Sequence, residues 1–294
     1  MSSGPVDKVT MKLVAATPAA FRSAVHPSTS RFVERWSPYR WYLNQRADAF
    51  LLWFPKTGGT WARMQLHTAF TKHFGIVGAP PLELEPLADL DPRVPRIRPF
   101  HDDAPHWRRP EQLRTHKRRY AGRRVLLLVR DPRDVVVSLH LQVTRRWKVD
   151  PTMTLDEFIW HPRGSFRTMI RYYNIWAQNR HVPSDLLLMR YEDMHADPHA
   201  AVRSMVDFMG VSDVTDETIR AAVDENRIDR IRVREAQGEY ATRRLQPGDP
   251  TDPDSFKARK GEVGSFREVV RAEDVARMTA IMREELDPWY GYRV

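Results

Sequence analysis

Three short segments carry residue types and spacings suited to holding an anion. The first is Phe54-Pro55-Lys56-Thr57-Gly58-Gly59-Thr60-Trp61. An apolar run enters it, two glycines permit a tight turn, and a helical pattern leaves it. Successive N–H groups in such a turn point into one concavity, and the start of the following helix adds partial positive charge. Lys56 and the hydroxyls of Thr57 and Thr60 add donors. This is not a Walker A loop, where the lysine follows the last glycine and Ser or Thr comes next. Here Lys56 precedes both glycines. Alone, the segment reads equally well as an ordinary strand–helix turn with a solvated lysine.

The second segment is an apolar run, Val125–Val129, followed by Arg130-Asp131-Pro132-Arg133-Asp134 and, one helical step beyond, Ser138. Asp131 is a good N-cap, Pro132 suits the first helical position, and Asp134 lies near the positive helix end. A strand-end guanidinium beside a helix hydroxyl suits phosphate. The plainer reading is that Arg130 only pairs with Asp131 or Asp134. The third segment is Arg259-Lys260-Gly261-Glu262-Val263-Gly264-Ser265-Phe266-Arg267. It is a flexible basic loop that by itself could be any solvated linker.

These segments need elements to position them. The pattern predicts strands at Ala49–Phe54, Val125–Val129 and Leu186–Met189 and a short extended piece at Arg96–Phe100. Helices are expected at Trp61–Phe74, from Asp131 or Pro132, and at Leu155–Trp160, Phe166–Asn179, Ala200–Met209, Glu217–Glu225, Arg227–Glu235 and Arg271–Leu286. Apolar strands alternating with helices argue an α/β fold, a parallel sheet flanked by helices. In such folds ligands bind beyond the carboxyl ends of the strands, where the first two segments fall. Residues 1–30 read as a flexible arm, and 31–294 as one domain opening with a helix over Arg31–Arg46 broken near Pro38.

The 294 residues include 47 Lys and Arg against 38 Asp and Glu, a net charge of +9, so anionic partners are favoured. With no cysteine there is no disulfide or thiolate metal site, and a cytoplasmic location fits. No apolar run approaches the ~18 residues of a membrane span. A peripheral membrane contact stays open.

Taken together and in order, these segments resemble the sulfotransferase family. The turn is similar to its Tyr-Pro-Lys-Ser-Gly-Thr-Thr-Trp 5′-phosphosulfate loop. Arg130 with Ser138 resembles its 3′-phosphate element. The basic loop resembles its Arg-Lys-Gly-x-x-Gly-Asp-Trp-Lys loop, with Ser265, Phe266 and Arg267 in the last three places. Tyr191-Glu192-Asp193-Met194 also matches a recurrent segment. The resemblance spans about Ala49 to Leu286. It implies a P-loop-kinase-like fold and transfer of a sulfuryl group from 3′-phosphoadenosine-5′-phosphosulfate to a hydroxyl or amine of a small-molecule acceptor, leaving adenosine 3′,5′-bisphosphate. It implies that Lys56 meets the leaving oxygen and that Lys56, Thr57, Gly58, Gly59, Thr60 and Trp61 form the phosphosulfate turn. It implies that Arg130, Ser138, Arg259, Lys260 and Gly261 hold the 3′-phosphate, that Trp61 and Tyr191 line the adenosine, and that no metal takes part.

The family's base is often a His ending a Pro-Arg-x-x-Lys-Thr-His run. Pro95-Arg96-Ile97-Arg98-Pro99-Phe100-His101 keeps that spacing but replaces the Lys and Thr. His101 is therefore the expected base, with Asp102 or Asp103 as its orienter or rival, and His106 and His116 as rival imidazoles. Trp147, Phe158, Trp160 and Tyr240 are candidates for the acceptor region. The family's short dimer motif has Arg267, Arg271, Ala272 and Ala276 at its positions, so that dimer is not expected. Two other classes compete: a nucleotide-dependent kinase on a related fold, and a basic nucleic-acid-binding module built on Arg108–Arg124, with no nucleic acid the preferred expectation.

Overall fold

Four strands, β1 (Ala49–Trp53), β2 (Ile97–Phe100), β3 (Arg124–Val129) and β4 (Asp185–Arg190), pair in the order β2-β1-β3-β4. Every pairing is parallel, with Ala49 opposite both Ile97 and Arg124, and Arg124 opposite Asp185. The computed structural model describes residues 44–292, apart from Ala241, Arg243, Arg244, Arg259 and Lys260. From Asp48 onward they form one compact unit. The arm expected at 1–30 and most of the helix expected at Arg31–Arg46 lie outside the described residues, as do Arg259 and Lys260.

The helices are α1 (Gly59–Phe74), α2 (Leu87–Leu90), α3 (Pro132–Leu141), α4 (Leu155–Ile159), α5 (Phe166–Gln178), α6 (Tyr191–Ala196), α7 (Pro198–Phe208), α8 (Asp216–Glu225), α9 (Ile228–Ala236), α10 (Phe266–Val269) and α11 (Ala272–Glu285). A π-helical turn, Gln142–Arg146, extends α3. All of β1 is buried, as is β3 beyond Arg124. Alternate residues then serve opposite layers. Ala49, Leu51, Trp53, Leu126 and Leu128 pack with Leu66, Phe70, Val202, Met205 and Ile219 of α1, α7 and α8. On the other face Phe50 meets Tyr120 edge-on at 5.0 Å, Tyr120 lies 5.2 Å from Trp176 of α5, and Phe54 meets Tyr172 at 5.6 Å. The strands and helices expected from Ala49 onward are all present. The short helices α2, α6 and α10 and the π turn are additions, too brief to set up a period of their own.

At the β1–α1 junction a glycine is required by space. A Cβ on Gly59 would lie 2.3 Å from the Trp53 ring. Gly59→Ala is expected to destabilise the protein by about 1–3 kcal/mol, the usual cost of overpacking. The change is read as a lower denaturant midpoint at unchanged slope.

Candidate active site

Because all four strands run the same way, their carboxyl ends share one edge. Across that edge in sheet order stand His101 after β2, Lys56 after β1, Arg130 after β3 and Tyr191 after β4. The β1 turn is built from unusual backbone. Lys56 is left-handed at φ 75° and Gly58, the N-cap of α1, at φ 96°. Alternation of right- and left-handed residues aims N–H groups into a common hollow, and the first N–H groups of α1 have no acceptor within the helix. The Thr57 hydroxyl does not face that hollow. It is fully buried and donates to the carbonyls of Phe54 (2.9 Å) and Leu128 (3.3 Å), so its work is to fasten the turn to β3. Thr60 is half-buried in the first turn of α1.

Tyr191 is the hub of the donor side. A Cβ on Gly58 would sit 2.8 Å from its ring, which Trp61 also approaches at 5.8 Å. The Arg130 guanidinium lies 4.3 Å from the ring centroid, and the Tyr191 hydroxyl donates to the Gly261 carbonyl at 2.9 Å. Trp61 is fixed in turn by its indole N–H, which donates to the Asn226 carbonyl at 2.8 Å. Arg130 donates to the Glu262 carbonyl at 2.7 Å and stands 3.5 Å from Asp134. Its Nε is buried with no hydrogen-bond partner among the described residues. Asp131 pairs with Arg133 instead, at 2.7 Å. Ser138 is half-buried one helical step beyond Asp134. The structure thus brings together the turn, Trp61, Arg130, Tyr191 and Gly261. A buried guanidinium with an unused donor beside a glycine hollow fits a phosphate-bearing nucleotide.

Three site residues were not singled out as such in the sequence. Asp134 is fully buried, and its carboxylate accepts from the N–H groups of Gly264 (2.7 Å) and Phe266 (3.1 Å) and the Ser265 hydroxyl (3.4 Å), clasping the basic loop to α3. Gln142, buried in the π turn, accepts from the Lys56 ammonium at 3.3 Å. Glu235 is described below. A helix-start aspartate or a helix-end glutamate gives no such signal, because its partners lie more than a hundred residues away or on another element. Lys56 is a crowded cation. Burial holds its pKa well below that of a free lysine, and the positive charges of Lys257, Arg146 and Arg130 push the same way.

On the other side of Lys56, the His101 Nδ1 lies 3.1 Å from the Trp53 carbonyl, and the two rings meet edge-on at 4.8 Å. A carbonyl only accepts, so Nδ1 carries the proton and the lone pair belongs to Nε2. The carboxylates expected to orient His101 are engaged elsewhere. Asp102, 1% exposed, pairs with Lys117 at 2.7 Å, takes the Tyr120 hydroxyl at 2.8 Å and meets Arg119. Asp103 pairs with Arg108 at 3.1 Å and accepts the Arg114 N–H at 2.7 Å. These ion pairs give the Arg-rich stretch a structural role. His106 lies 5.3 Å from His101, ring to ring, and burial followed by the charge of His101 lowers its pKa well below normal. His116 is exposed. Of the proposed acceptor aromatics, Trp147 stacks on Trp107 at 5.6 Å beside His106. Phe158 and Tyr240 are buried, and the Trp160 indole N–H donates to Asp274.

An anion-holding turn, a strand-end arginine and a returning loop on a parallel sheet define a nucleotide-dependent group-transfer enzyme. The sulfotransferase domain model matches residues 46–290, and the chain belongs to the sulfotransferase family, whose donor is 3′-phosphoadenosine-5′-phosphosulfate. Cytosolic sulfotransferase 17 of Arabidopsis thaliana is 24% identical over 265 residues, covering 81% of this chain and 74% of that protein. Among solved structures, retinol dehydratase in complex with androsterone and inactive cofactor PAP matches with a TM-score of 0.57 at 16% identity, over 84% of this chain and 82% of that one. A mouse sulfotransferase complexed with PAP matches at 0.57 and 17%, over 83% and 87%. No helix among the described residues is long and apolar enough to cross a membrane.

Asp102 is a structural ion-pair centre on this geometry. Asp102→Asn leaves the Lys117 ammonium buried without its counter-charge and is expected to cost about 3–5 kcal/mol of stability. Thermal or denaturant unfolding checks this.

Proposed function

We propose that the chain transfers a sulfuryl group from 3′-phosphoadenosine-5′-phosphosulfate to a hydroxyl or amine of a small-molecule acceptor, in the cytoplasm and without a metal. The observation that carries this reading is the convergence of Lys56, Arg130, Tyr191 and the Gly261–Gly264 loop on the edge left by β1, β3 and β4. The PAP in the similar structures points to the same nucleotide. The turn N–H groups and Lys56 would hold the 5′ side. Arg130, Ser138, Arg259, Lys260 and Gly261 would hold the 3′-phosphate, and Trp61 and Tyr191 would flank the adenosine. Sulfuryl transfer, like phosphoryl transfer, runs through a loose in-line transition state with charge on the leaving oxygen. The Lys56 ammonium faces that charge, and one such donor is typically worth about 3–4 kcal/mol.

His101 acts as general base through Nε2, its Nδ1–H held by the Trp53 carbonyl. His106 beside it is the weaker base, because burial lowers its pKa. The Trp107–Trp147 stack next to these imidazoles favours an acceptor with an apolar or aromatic face.

The donor assignment is tested by calorimetry. Adenosine 3′,5′-bisphosphate is expected to bind at least tenfold more tightly than AMP, and ATP with Mg²⁺ no better than AMP. Equal affinity for AMP and the bisphosphate would overturn it. For the base, His101→Ala is expected to lower kcat by about 10²–10⁴ while the bisphosphate affinity holds. The acid limb of the wild-type pH–rate profile is expected to vanish with it.

A further inference from the structure

Glu235 ends α9 in a place where a carboxylate needs explaining. It is 2% exposed, in a region otherwise rich in cations that would face an anionic nucleotide. Its two oxygens accept main-chain N–H bonds from Lys257 (2.5 Å) and Ala258 (3.0 Å), the residues that lead directly into Arg259-Lys260-Gly261. At the far end of the same loop Asp134 accepts from Gly264, Ser265 and Phe266. The basic loop is therefore tied down on both flanks by buried carboxylates, one on α9 and one on α3. Unlike Asp134, Glu235 also acts directly on Lys56: its charge opposes the lowering of the Lys56 pKa by burial, Lys257, Arg146 and Arg130. It has the same effect on Arg146 of the π turn, and it pushes the Tyr240 hydroxyl upward.

We propose that Glu235 is a positioning residue of the donor site, tying the root of the Arg259–Gly261 loop to the cation cluster around Lys56. It touches neither nucleotide nor acceptor. Its two N–H bonds hold Lys257 and Ala258 against α9, and its charge favours the protonated forms of Lys56 and Arg146. The inference rests on the donor reading above for its functional meaning, while its structural half concerns the protein without nucleotide.

Two variants separate the roles. Glu235→Ala removes anchor and charge, whereas Glu235→Gln keeps one carbonyl acceptor and removes the charge. In hydrogen exchange on the nucleotide-free protein, the amides of Lys257 and Ala258 are expected to exchange at least tenfold faster in Glu235→Ala, with amides of the β3 core unchanged. Wild-type exchange at those amides overturns the anchor, whatever nucleotide the protein uses. In the pH profile of kcat/KM for the donor, which reports the free enzyme, the alkaline limb falls as Lys56 loses its proton. Removing a negative charge that favours the ammonium lowers the pKa. In Glu235→Gln that limb is expected to move to lower pH, with a smaller change in kcat. An unmoved limb in a folded Glu235→Gln protein that still binds the bisphosphate overturns the electrostatic half. Failure of the wild type to bind the bisphosphate would instead strike the donor reading and leave the exchange result to decide the anchor.

Discussion

Like charges held close together in a poorly hydrated pocket repel, and the arrangement of this protein follows from containing that repulsion. Two unit charges 4 Å apart interact by about 4 kcal/mol at the effective dielectric of a protein surface. Lys56 feels Lys257, Arg146 and Arg130 at once. The four cations do not share one helix or strand. They arrive instead from four separate places, the β1 turn, the β3 end, the π turn and the loop after α9, and two buried carboxylates and the Gln142 amide keep them there. Before nucleotide binds, the carboxylates offset only part of this repulsion: at Lys56, burial and three cations outweigh Glu235, which leaves an excess of positive charge for an anion to meet.

The parallel sheet is what allows this assembly. Parallel strands with helical crossovers set every strand's carboxyl end on one edge, and each end here delivers one residue of different chemistry. Register does the fine placement. Trp53 lies opposite Leu128, so the turn beyond β1 and Arg130 beyond β3 leave the sheet at nearly the same level. The Thr57 hydroxyl locks that relation by reaching the carbonyl of Leu128. Tyr191 enters from β4 and becomes the common wall for the glycine turn, the arginine and the loop.

Much of this was legible in the amino-acid order because it is local. Apolar runs gave β1, β3 and β4, and Lys56-Thr57-Gly58-Gly59 and Arg130 stood beside them in the chain. What was not legible is non-local or depends on competition. Asp102 and Asp103 adjoin His101 in sequence and seemed its natural orienters. Lys117, Arg119, Arg108 and Arg114 claim them, because a buried carboxylate is drawn to the strongest charge partner in reach. Thr57 looked like a ligand donor, yet it faces inward because its side chain packs against β3. Gln142 was hidden by the π turn, whose extra residue rotates side chains off the period a sequence reader assumes. Glu235 looked like one more acidic residue on a charged helix.

The partner of His101 Nδ1 is a main-chain carbonyl of β1, whereas the side chains around it are replaceable. A carboxylate orienter can be lost to a single codon change. A carbonyl exists whatever residue occupies position 53, so drift in the surrounding sequence leaves the tautomer of His101 in place as long as β1 and β2 stay paired. The vulnerability is moved elsewhere, to whatever bends the end of β1. That makes Gly59, whose missing Cβ gives the Trp53 ring its room, a guardian of the carbonyl that holds His101 from six residues along the chain.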